Sequence, residues 1–377
     1  MKKPVYMDYH ATTPMDPRIL QAMTPYYLDG CSVSEVQQAV ALSRARVARL
    51  IGAQADEIHF TSGATEADNL AVKGIAYANR DRGNHIITSQ VEHKAVLDCC
   101  ERLEQEGFEV TYLPVDPHGM VDPEAVSEAI TDRTILVSLI YGNNEIGTIN
   151  PLEDIGKITR DRGVLIHTDA VQAVGKIPVR VDTIGADLLS LSAHKMYGAK
   201  GIGALYVRRR SPGIRMASIL GEDRPKNLPG IVGLGLACEI SGEVMPEEGE
   251  RLKALRIRLH DGLVNAVEDI ILNGHPEHRL PGNLNMCFSY IEGGSLLLSL
   301  RDIAVSSGSA CTSRTTIDPS YVLLALGRDQ TLAQGAIRFG LGRWSTEEEV
   351  DYAVETVAAE ARKLRSMSAH YTMRHEV

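Results

Sequence analysis

The sequence lacks the patterns that would indicate disulfides, a membrane span or a secretion signal. Its six cysteines, in 377 residues, form no Cys-x-x-Cys pair and are too sparse for a disulfide framework, so we expect reduced thiols. Nowhere do about 18 apolar residues run together, and Asp8 comes before a signal-peptide core could form. These absences predict a cytoplasmic protein with no membrane contact.

An excess of positive charge is also missing. The chain has 39 Lys and Arg against 49 Asp and Glu, and its net charge of −10 would repel phosphate backbones and anionic membranes. One basic run, Arg208-Arg209-Arg210, follows an apolar strand and is interpreted as a solvated strand end. We therefore expect no nucleic-acid partner.

No internal repeat or low-complexity tract interrupts a composition typical of globular proteins, with 44% hydrophobic and 23% charged residues. Through the first two thirds, short runs rich in β-branched residues alternate with helical patterns, which predicts an α/β fold with a mainly parallel sheet. The predicted strands lie near residues 57–61, 85–89, 134–140, 163–168, 187–192 and 203–207.

The pattern changes past about residue 245 and predicts a second, smaller α+β domain. It indicates a charged helix over 247–267, strands at 283–290 and 336–340, and a helix from Gly294 between them. Thr346 and Glu349 have the spacing of a capping box that starts a last helix. We expect a large domain over 15–245 and a small domain built from 1–14 and 246–377.

Polar residues follow nearly every predicted strand, and ligands of open α/β sheets bind at the carboxyl ends of strands. Lys195 follows the strand at 187–192 within a turn of small residues, where poor solvation would lower the pKa of its amine, as a Schiff-base lysine requires. For a lone lysine, an exposed strand end is the commoner interpretation. Asp169 and Gln172 change that balance.

Asp169 follows another strand, and Gln172 comes one helical turn later, so both side chains can face one cleft. A carboxylate at that depth would favour protonation of a pyridine nitrogen, which turns pyridoxal phosphate into an electron sink. Alone, Asp169 would be interpreted as a helix cap.

Three further turns carry polar groups that suit such a cofactor. Residues 61–66, Thr-Ser-Gly-Ala-Thr-Glu, form a strand-to-helix turn whose N–H groups can hold a phosphate, although such turns often merely cap a helix. His93 can lie over an aromatic ring or move protons, or can simply begin a helix. The run Asn143-Asn144 can donate to a phenolate or a carboxylate, or form a turn.

The second domain adds a thiol and a guanidinium. Cys311 lies in a run of small polar residues, where an exposed sulfur suits a mobile nucleophile, whereas Cys99, Cys100, Cys238 and Cys287 have apolar neighbours typical of buried thiols. Arg338 lies within an apolar strand, and a guanidinium there either binds a carboxylate ligand or forms a structural ion pair.

Together these residues resemble the pyridoxal-phosphate-dependent cysteine desulfurases that supply sulfur for iron-sulfur clusters. The matching segments cover most of the chain and lie at 6–14, 60–69, 143–147, 167–176, 190–200, 306–313 and 337–343. The resemblance implies an aspartate-aminotransferase-type fold (fold type I) and a homodimer with its sites at the subunit interface. It also implies L-cysteine as substrate, L-alanine as product, and an iron-sulfur scaffold or other sulfur acceptor as partner.

The resemblance also implies a role for each site residue. Lys195 would carry pyridoxal 5'-phosphate covalently, with Asp169 at the pyridine nitrogen and Gln172 at the ring hydroxyl oxygen. His93 would stack on the ring and shuttle protons, and Cys311 would attack the substrate sulfur and become a persulfide. The remaining assignments are cofactor-binding Ala64 and Asn144, phosphate-binding Thr65, Ser192 and His194, and substrate-carboxylate-binding Asn144 and Arg338. No metal is implied.

The sequence departs from the family pattern at residues 30–35, at 222–228 and beyond residue 365. The family has a glycine-rich stretch at the second of these places, with a threonine that reaches the phosphate of the neighbouring subunit; this chain has Glu-Asp-Arg-Pro-Lys-Asn-Leu. Two alternatives therefore stay open. One is a weakly active homologue that serves as a scaffold in cluster assembly, and the other is a selenocysteine lyase-like β-eliminating enzyme, which would not need Cys311.

Overall fold

The computed structural model describes residues 4–28, 30–218, 227–307, 319–367 and 371. The strands are β1 (Val5–Tyr6), β2 (Ile58–Thr61), β3 (His85–Ser89), β4 (Glu109–Leu113), β5 (Thr134–Ser138), β6 (Leu165–Asp169), β7 (Leu188–Ser192), β8 (Gly203–Val207), β9 (Ile270–Asn273), β10 (Asn283–Phe288), β11 (Ile303–Ala304), β12 (Ser306–Ser307) and β13 (Ala336–Gly340). The helices are α1 (Pro17–Met23), α2 (Pro25–Leu28), α3 (Val33–Ile51), α4 (Ala64–Ala78), α5 (Lys94–Gln105), α6 (Pro123–Ala129), α7 (Leu152–Asp161), α8 (Leu228–Ala266), α9 (Gly293–Ser299), α10 (Tyr321–Ala325), α11 (Gln330–Gln334) and α12 (Glu347–Ser366). Short 3-10 turns lie at Ala55–Glu57 and Ala193–Lys195.

A seven-stranded sheet in the described part of the chain has the order β2-β8-β7-β6-β5-β3-β4. β8 runs antiparallel to both of its neighbours, and the other pairs are parallel. The predicted α/β class with a mainly parallel sheet is therefore confirmed.

Helices cover both faces of this sheet. Successive side chains of a strand point to opposite faces, so neighbouring residues of one strand pack against different helices. Ile86 and Leu136 pack in one apolar cluster with α4 and α5, whereas their neighbours Ile87 and Val137 pack in another that contains residues of α3, α7 and α8. Every residue of β3, β5, β6 and β7 is buried. Burial on both faces explains why these strands have continuous apolar sequences.

A second sheet has the order β12-β13-β10-β9, with all neighbouring pairs antiparallel. It packs in a separate apolar cluster with the C-terminal half of α8 and with α12. The predicted capping box is present at the start of α12, where Thr346 and Glu349 each bond the backbone N–H of the other. The division of the chain into residues 15–245 and the remainder stays a prediction.

Helix α8 begins 19 residues before the expected start at residue 247. Pro246, which suggests a helix boundary in the sequence, lies inside it. The N-terminal half is buried against α1 and α3, so tertiary packing outweighs the local signal. Although α8 is long and apolar enough to span a bilayer, 56% of its most apolar window is buried, as in the core helix of a globular protein.

The N-terminal segment joins the two sheets. β1 pairs in parallel with β11, Asp8 bridges to Gly340 at the end of β13, and residues 10–13 lie against the turn that follows β7. This placement brings the start of the chain to the carboxyl ends of the large sheet.

Candidate active site

The carboxyl ends of the parallel strands place several of the predicted site residues at one edge of the sheet. Asp169 ends β6, Ser192 ends β7, and Lys195 closes the 3-10 turn after β7. His93 caps α5 shortly after β3, and its Nδ1 accepts the backbone N–H of Ala95 at 3.1 Å. His93 therefore begins a helix, as one interpretation of the sequence predicts. It also lies at the carboxyl ends of the strands, where the other interpretation, a contact with an aromatic ring, requires it.

Lys195 lies against the N-terminal segment. Its Nζ donates to the backbone carbonyls of His10 at 2.7 Å and Ala11 at 2.6 Å. The neighbouring His194 is fixed in the same way, because its Nδ1 lies 3.1 Å from Thr12 Oγ1 and its carbonyl accepts from Thr13 Oγ1 at 2.9 Å. Burial, together with the charges of nearby lysines, lowers the pKa of His194 to about 4, so its ring is neutral at neutral pH.

Asp169 is a buried carboxyl group, with 5% of its surface exposed. Its Oδ1 accepts the backbone N–H of Val171 at 2.9 Å. Burial raises the pKa of Asp169, and the positive potential of His93 and Lys195 opposes that rise. Asp169, His93 and Lys195 therefore interact electrostatically, as three groups around one cofactor must.

A layer of buried polar groups lies beneath Asp169. His167 packs between Ser138 Oγ, 2.8 Å from its Nδ1, and Ser190 Oγ, 3.0 Å from its Nε2. Burial lowers the pKa of His167 to about 3, so its approach of 3.6 Å to Asp68 Oδ1 is not an ion pair at neutral pH. Burial and then the charge of Asp169 raise the pKa of Asp68 well above its ordinary value.

Glu92 is a third buried carboxyl in this region. Its Oε1 accepts from Ser89 Oγ at 2.6 Å, and burial raises its pKa to about 8. Glu92 is therefore mainly protonated at neutral pH, and the charge of Asp169 adds to that preference.

Gln172 is also buried and is held at both ends of its amide. Nε2 donates to the carbonyl of His10 at 2.9 Å, and Oε1 accepts from Lys176 Nζ at 2.5 Å. The carbonyl of His10 thus receives both Lys195 and Gln172, which places the two side chains next to each other.

The predicted phosphate turn lies at the start of α4, a helix of 15 residues whose first residue is Ala64. Thr65 is exposed in its first turn. Gly203 of β8 pairs with Ser192 and touches Gly63, since a Cβ added at Gly203 would lie 2.9 Å from the carbonyl carbon of Gly63. The end of β7 and the N-terminus of α4 therefore meet, and backbone N–H groups of a helix start favour an anion.

Arg338 is buried in β13 and makes three hydrogen bonds. Nη1 donates to the backbone carbonyl of Asn144 at 2.9 Å, and Nη2 donates to Ser306 Oγ at 2.7 Å and to Asp8 Oδ1 at 3.1 Å. Among the described residues its Nε has no hydrogen-bond partner. Arg338 therefore forms a structural ion pair with Asp8, as one interpretation of the sequence predicts. Its buried Nε–H group remains for a further acceptor, such as the carboxylate ligand of the other interpretation.

Cys311 lies outside the described residues, as do residues 222–226 of the altered segment. Ser306, in β12, pairs with Arg338 in β13 five positions before Cys311 in the chain. Cys99, Cys100, Cys238 and Cys287 are buried as expected, and burial raises the pKa of each thiol, to about 11 for Cys287. Such thiols are poor nucleophiles.

Sequence reasoning assigned no role to four residues that the structure places at the site: Asp8, His10, Asp68 and Lys176. Asp8, His10 and Lys176 lie inside matched segments, at 6–14 and 167–176, and Asp68 lies inside 60–69. Their position inside segments that resemble the family could have identified these residues. Nothing in the local sequence shows that their side chains point into the site.

The donors and acceptors present fit pyridoxal phosphate. A protonated pyridine nitrogen needs a buried carboxylate, and Asp169 is a buried carboxyl group at the end of β6 whose Oδ1 accepts from the backbone N–H of Val171. The aldehyde needs a lysine in the same site, and the phosphate needs a helix N-terminus; Lys195 and the start of α4 supply these.

Comparisons with known proteins agree with this site. The family described as "Aminotransferase class-V" matches residues 5–220 and 225–353. "Cysteine desulfurase IscS" of Anaeromyxobacter dehalogenans is 51% identical over 390 aligned positions, which cover 99% of this chain and 96% of the relative. "Cysteine desulfurase" of Pongo abelii is 48% identical over 98% of this chain and 84% of its own length.

Two solved structures have the same fold. One, titled "NIFS-LIKE PROTEIN", has a TM-score of 0.88 and 36% identity and covers 96% of this chain and 100% of its own. Another, titled "SspA in complex with cysteine", has a TM-score of 0.79 and 33% identity and covers 91% of this chain and 100% of its own. By its sequence, its fold and the groups at the end of its sheet, this chain belongs to the pyridoxal-phosphate-dependent cysteine desulfurases of the class V aminotransferase family.

Proposed function

We propose that this cysteine desulfurase takes L-cysteine as its substrate, releases L-alanine, and transfers the sulfur through Cys311 to an acceptor protein, such as an iron-sulfur scaffold. The observation that carries the proposal is the placement of buried Asp169, together with His93 and Lys195, at the carboxyl ends of the parallel strands. These are the groups that activation of an amino acid by pyridoxal phosphate requires.

When bound, pyridoxal phosphate supplies an electron sink for the bonds around the substrate α-carbon. In this proposal Lys195 holds the cofactor covalently, Asp169 holds a proton at the pyridine nitrogen, and Gln172 donates to the ring oxygen. His93 lies on the ring and moves protons. The turn at Ala64 and Thr65, with Ser192 and His194, holds the phosphate.

Arg338 and Asn144 bind the substrate carboxylate. Arg338 is suited to this because its Nε is buried without a partner among the described residues, and because Asp8 already presents a carboxylate to its Nη2 at 3.1 Å. A guanidinium binds a carboxylate best through two parallel N–H groups. Substrate therefore competes with Asp8 for part of this guanidinium.

Cys311 takes the sulfur as a thiolate. A bond forms between its Sγ and the substrate sulfur while the bond from that sulfur to the substrate β-carbon breaks. The electron pair stays with the carbon fragment, which gains protons and leaves as alanine. The protein keeps a persulfide, whose outer sulfur passes to the acceptor.

We also propose a cytoplasmic homodimer built from the two predicted domains. Large apolar side chains exposed on α1, α2 and α3 support the dimer, since α1 and α3 pack on α8 and leave these side chains uncovered. They are Leu20, Tyr27, Leu28, Val33 and Leu42.

The test is release of sulfide and alanine from L-cysteine in the presence of a thiol reductant, on protein loaded with pyridoxal phosphate. Equimolar products that disappear in Cys311→Ala would support the proposal. Cys31→Ala is the matched control, because Cys31 is exposed and should not be needed. Absence of products from a protein that retains the cofactor's visible absorbance would refute the proposal and favour a scaffold function.

A further inference from the structure

The amide of Gln172 has one orientation that satisfies both of its neighbours. The backbone carbonyl of His10 can only accept, so the atom 2.9 Å from it must be the donor Nε2. Lys176 Nζ then donates to Oε1 at 2.5 Å. The assignment holds whatever the charge of Lys176, because the carbonyl of His10 cannot donate.

Nε2 carries two hydrogens, and His10 is its one acceptor within the described chain. We infer that Lys176 is a positioning residue: by holding Oε1, it keeps the second N–H of Gln172 directed at the ring oxygen of the cofactor. This inference rests on the proposed function, which assigns that oxygen to Gln172.

Removal of Lys176 would leave Oε1 buried without its donor, which is costly. Within the described chain the amide would then keep only its contact with the His10 carbonyl, which also accepts from Lys195 Nζ. The amide could turn about that single contact, so its second N–H would no longer be fixed towards the ring oxygen. Lys176 therefore sets the direction of the donor and does not itself touch the reacting atoms.

Lys176 also acts through its charge, and the test must separate the two effects. Burial, followed by Lys195 and Arg338, lowers the pKa of Lys176, whereas Glu248 of α8 opposes that shift. The ring of His10 faces the same group, since the charge of Lys176 lowers the pKa of His10. A simple loss of charge would shift titrations even without Gln172.

The experiment follows the visible absorbance of the cofactor attached to Lys195 as a function of pH, in the holoprotein. A hydrogen bond to the ionised ring oxygen makes that oxygen less basic, so its loss should raise the midpoint. We expect Lys176→Met to raise the midpoint by about one pH unit, the size expected for a hydrogen bond to a charged oxygen. Lys176→Arg, which keeps a donor, should restore most of the difference.

Gln172→Ala, alone and combined with Lys176→Met, separates positioning from charge. If Lys176 acts through Gln172, the double variant has the midpoint of Gln172→Ala. Shifts that add instead, or an unshifted Lys176→Met midpoint, would overturn the inference while the wild-type band leaves the proposed function intact. A wild-type protein without that band would overturn the proposed function and this inference with it.

Discussion

At the scale of single residues, the floor of the site keeps its negative charge on one carboxylate. Asp68 and Glu92 are buried near Asp169, and burial, with the charge of Asp169, favours their protonated forms. His167 is held neutral between two serines. Asp68 and Glu92 therefore place no second full charge beside Asp169, the carboxyl group proposed to face the cofactor nitrogen.

This arrangement predicts an unusual effect of pH on Glu92→Gln. Between about pH 4.5 and 8 the unfolded wild-type chain releases the Glu92 proton while the folded chain keeps it, so wild-type stability falls by about 1.4 kcal/mol per pH unit from this group. Below that window its contribution is fully present. A glutamine side chain does not titrate, so the free energy of unfolding of the variant relative to that of the wild type should increase as pH rises. Guanidinium unfolding at pH 5.5 and 7.5 measures the difference.

Glu250→Gln is the control, because Glu250 is exposed on α8. It should leave the pH dependence of unfolding unchanged. A stability difference between Glu92→Gln and wild type that is the same at both pH values would contradict a raised pKa at Glu92.

Arg338→Lys should raise KM for L-cysteine about 10- to 100-fold with a smaller effect on kcat, because a lysine cannot bind a carboxylate through two parallel N–H groups. Steady-state alanine production measures both constants. Arg365→Lys is the matched control, since Arg365 is equally buried but donates to the carbonyls of Ser289 and Asp269. An unchanged KM in Arg338→Lys would exclude Arg338 from the substrate site.

At the scale of elements, the contact between β8 and the start of α4 controls the proposed phosphate site. A Cβ at Gly203 would lie 2.6 Å from the carbonyl oxygen of Leu191 and 2.9 Å from the carbonyl carbon of Gly63. These are backbone atoms of two elements, so one of them must shift.

Gly203→Ala should therefore weaken cofactor binding at least about tenfold and lower the thermal midpoint, as expected for overpacking of a well-packed contact. Fluorescence titration of the apoprotein with pyridoxal phosphate measures the affinity. Gly213→Ala is the control, because among the described residues, its two chain neighbours aside, no heavy atom lies within 4 Å of a Cβ added there. Equal affinities for the two variants would show that the start of α4 does not bind the phosphate.

The sequence predicts six of the seven strands of the large sheet and misses one edge strand. β3, β5, β6, β7 and β8 lie within a few residues of their predicted positions, because burial on both faces leaves continuous apolar runs. β4 was not predicted: it is one of the two edge strands and keeps exposed or half-buried residues at four of its five positions. The early start of α8 was missed because Pro246 and a largely apolar first half conceal one continuous helix.

The sequence likewise predicts some features of the candidate site and misses others. Asp169, Ser192 and Lys195 could be placed from the sequence because each follows a readable strand, and carboxyl ends of parallel strands meet. The contacts of Lys195 could not be predicted from the sequence, because its partners His10 and Ala11 are about 185 residues away in the chain. Asp8 and Arg338 are 330 residues apart.

At the scale of the whole molecule, the chain aligns with a relative along almost its entire length, with gaps. The alignment with the Anaeromyxobacter dehalogenans protein has 390 positions and this chain has 377 residues, so at least 13 aligned positions have no counterpart here. The identity of 51% nevertheless extends over 99% of the chain.

We expect the intact protein to sediment at twice its chain mass of 41.1 kDa. Leu20→Asp combined with Leu42→Asp should move it to the monomer mass, because these side chains are 55% and 52% exposed on α1 and α3 and would meet charge in the proposed interface. Leu298→Asp, at an 80% exposed position on α9, is the control and should remain dimeric. A double variant that stays dimeric would place the interface elsewhere.

The segment that contains Asp8, His10 and Ala11 has a consequence for how the protein is made. It leaves the ribosome long before its partners Ser306, Arg338 and Gly340, since Arg338 comes 330 residues after Asp8 in the chain. The large sheet, complete by residue 207, can assemble during synthesis, whereas the segment whose carbonyls hold Lys195 lacks these partners until residue 340 has been made. A nascent chain is therefore unable to present a finished site, and the cofactor should be captured after release from the ribosome.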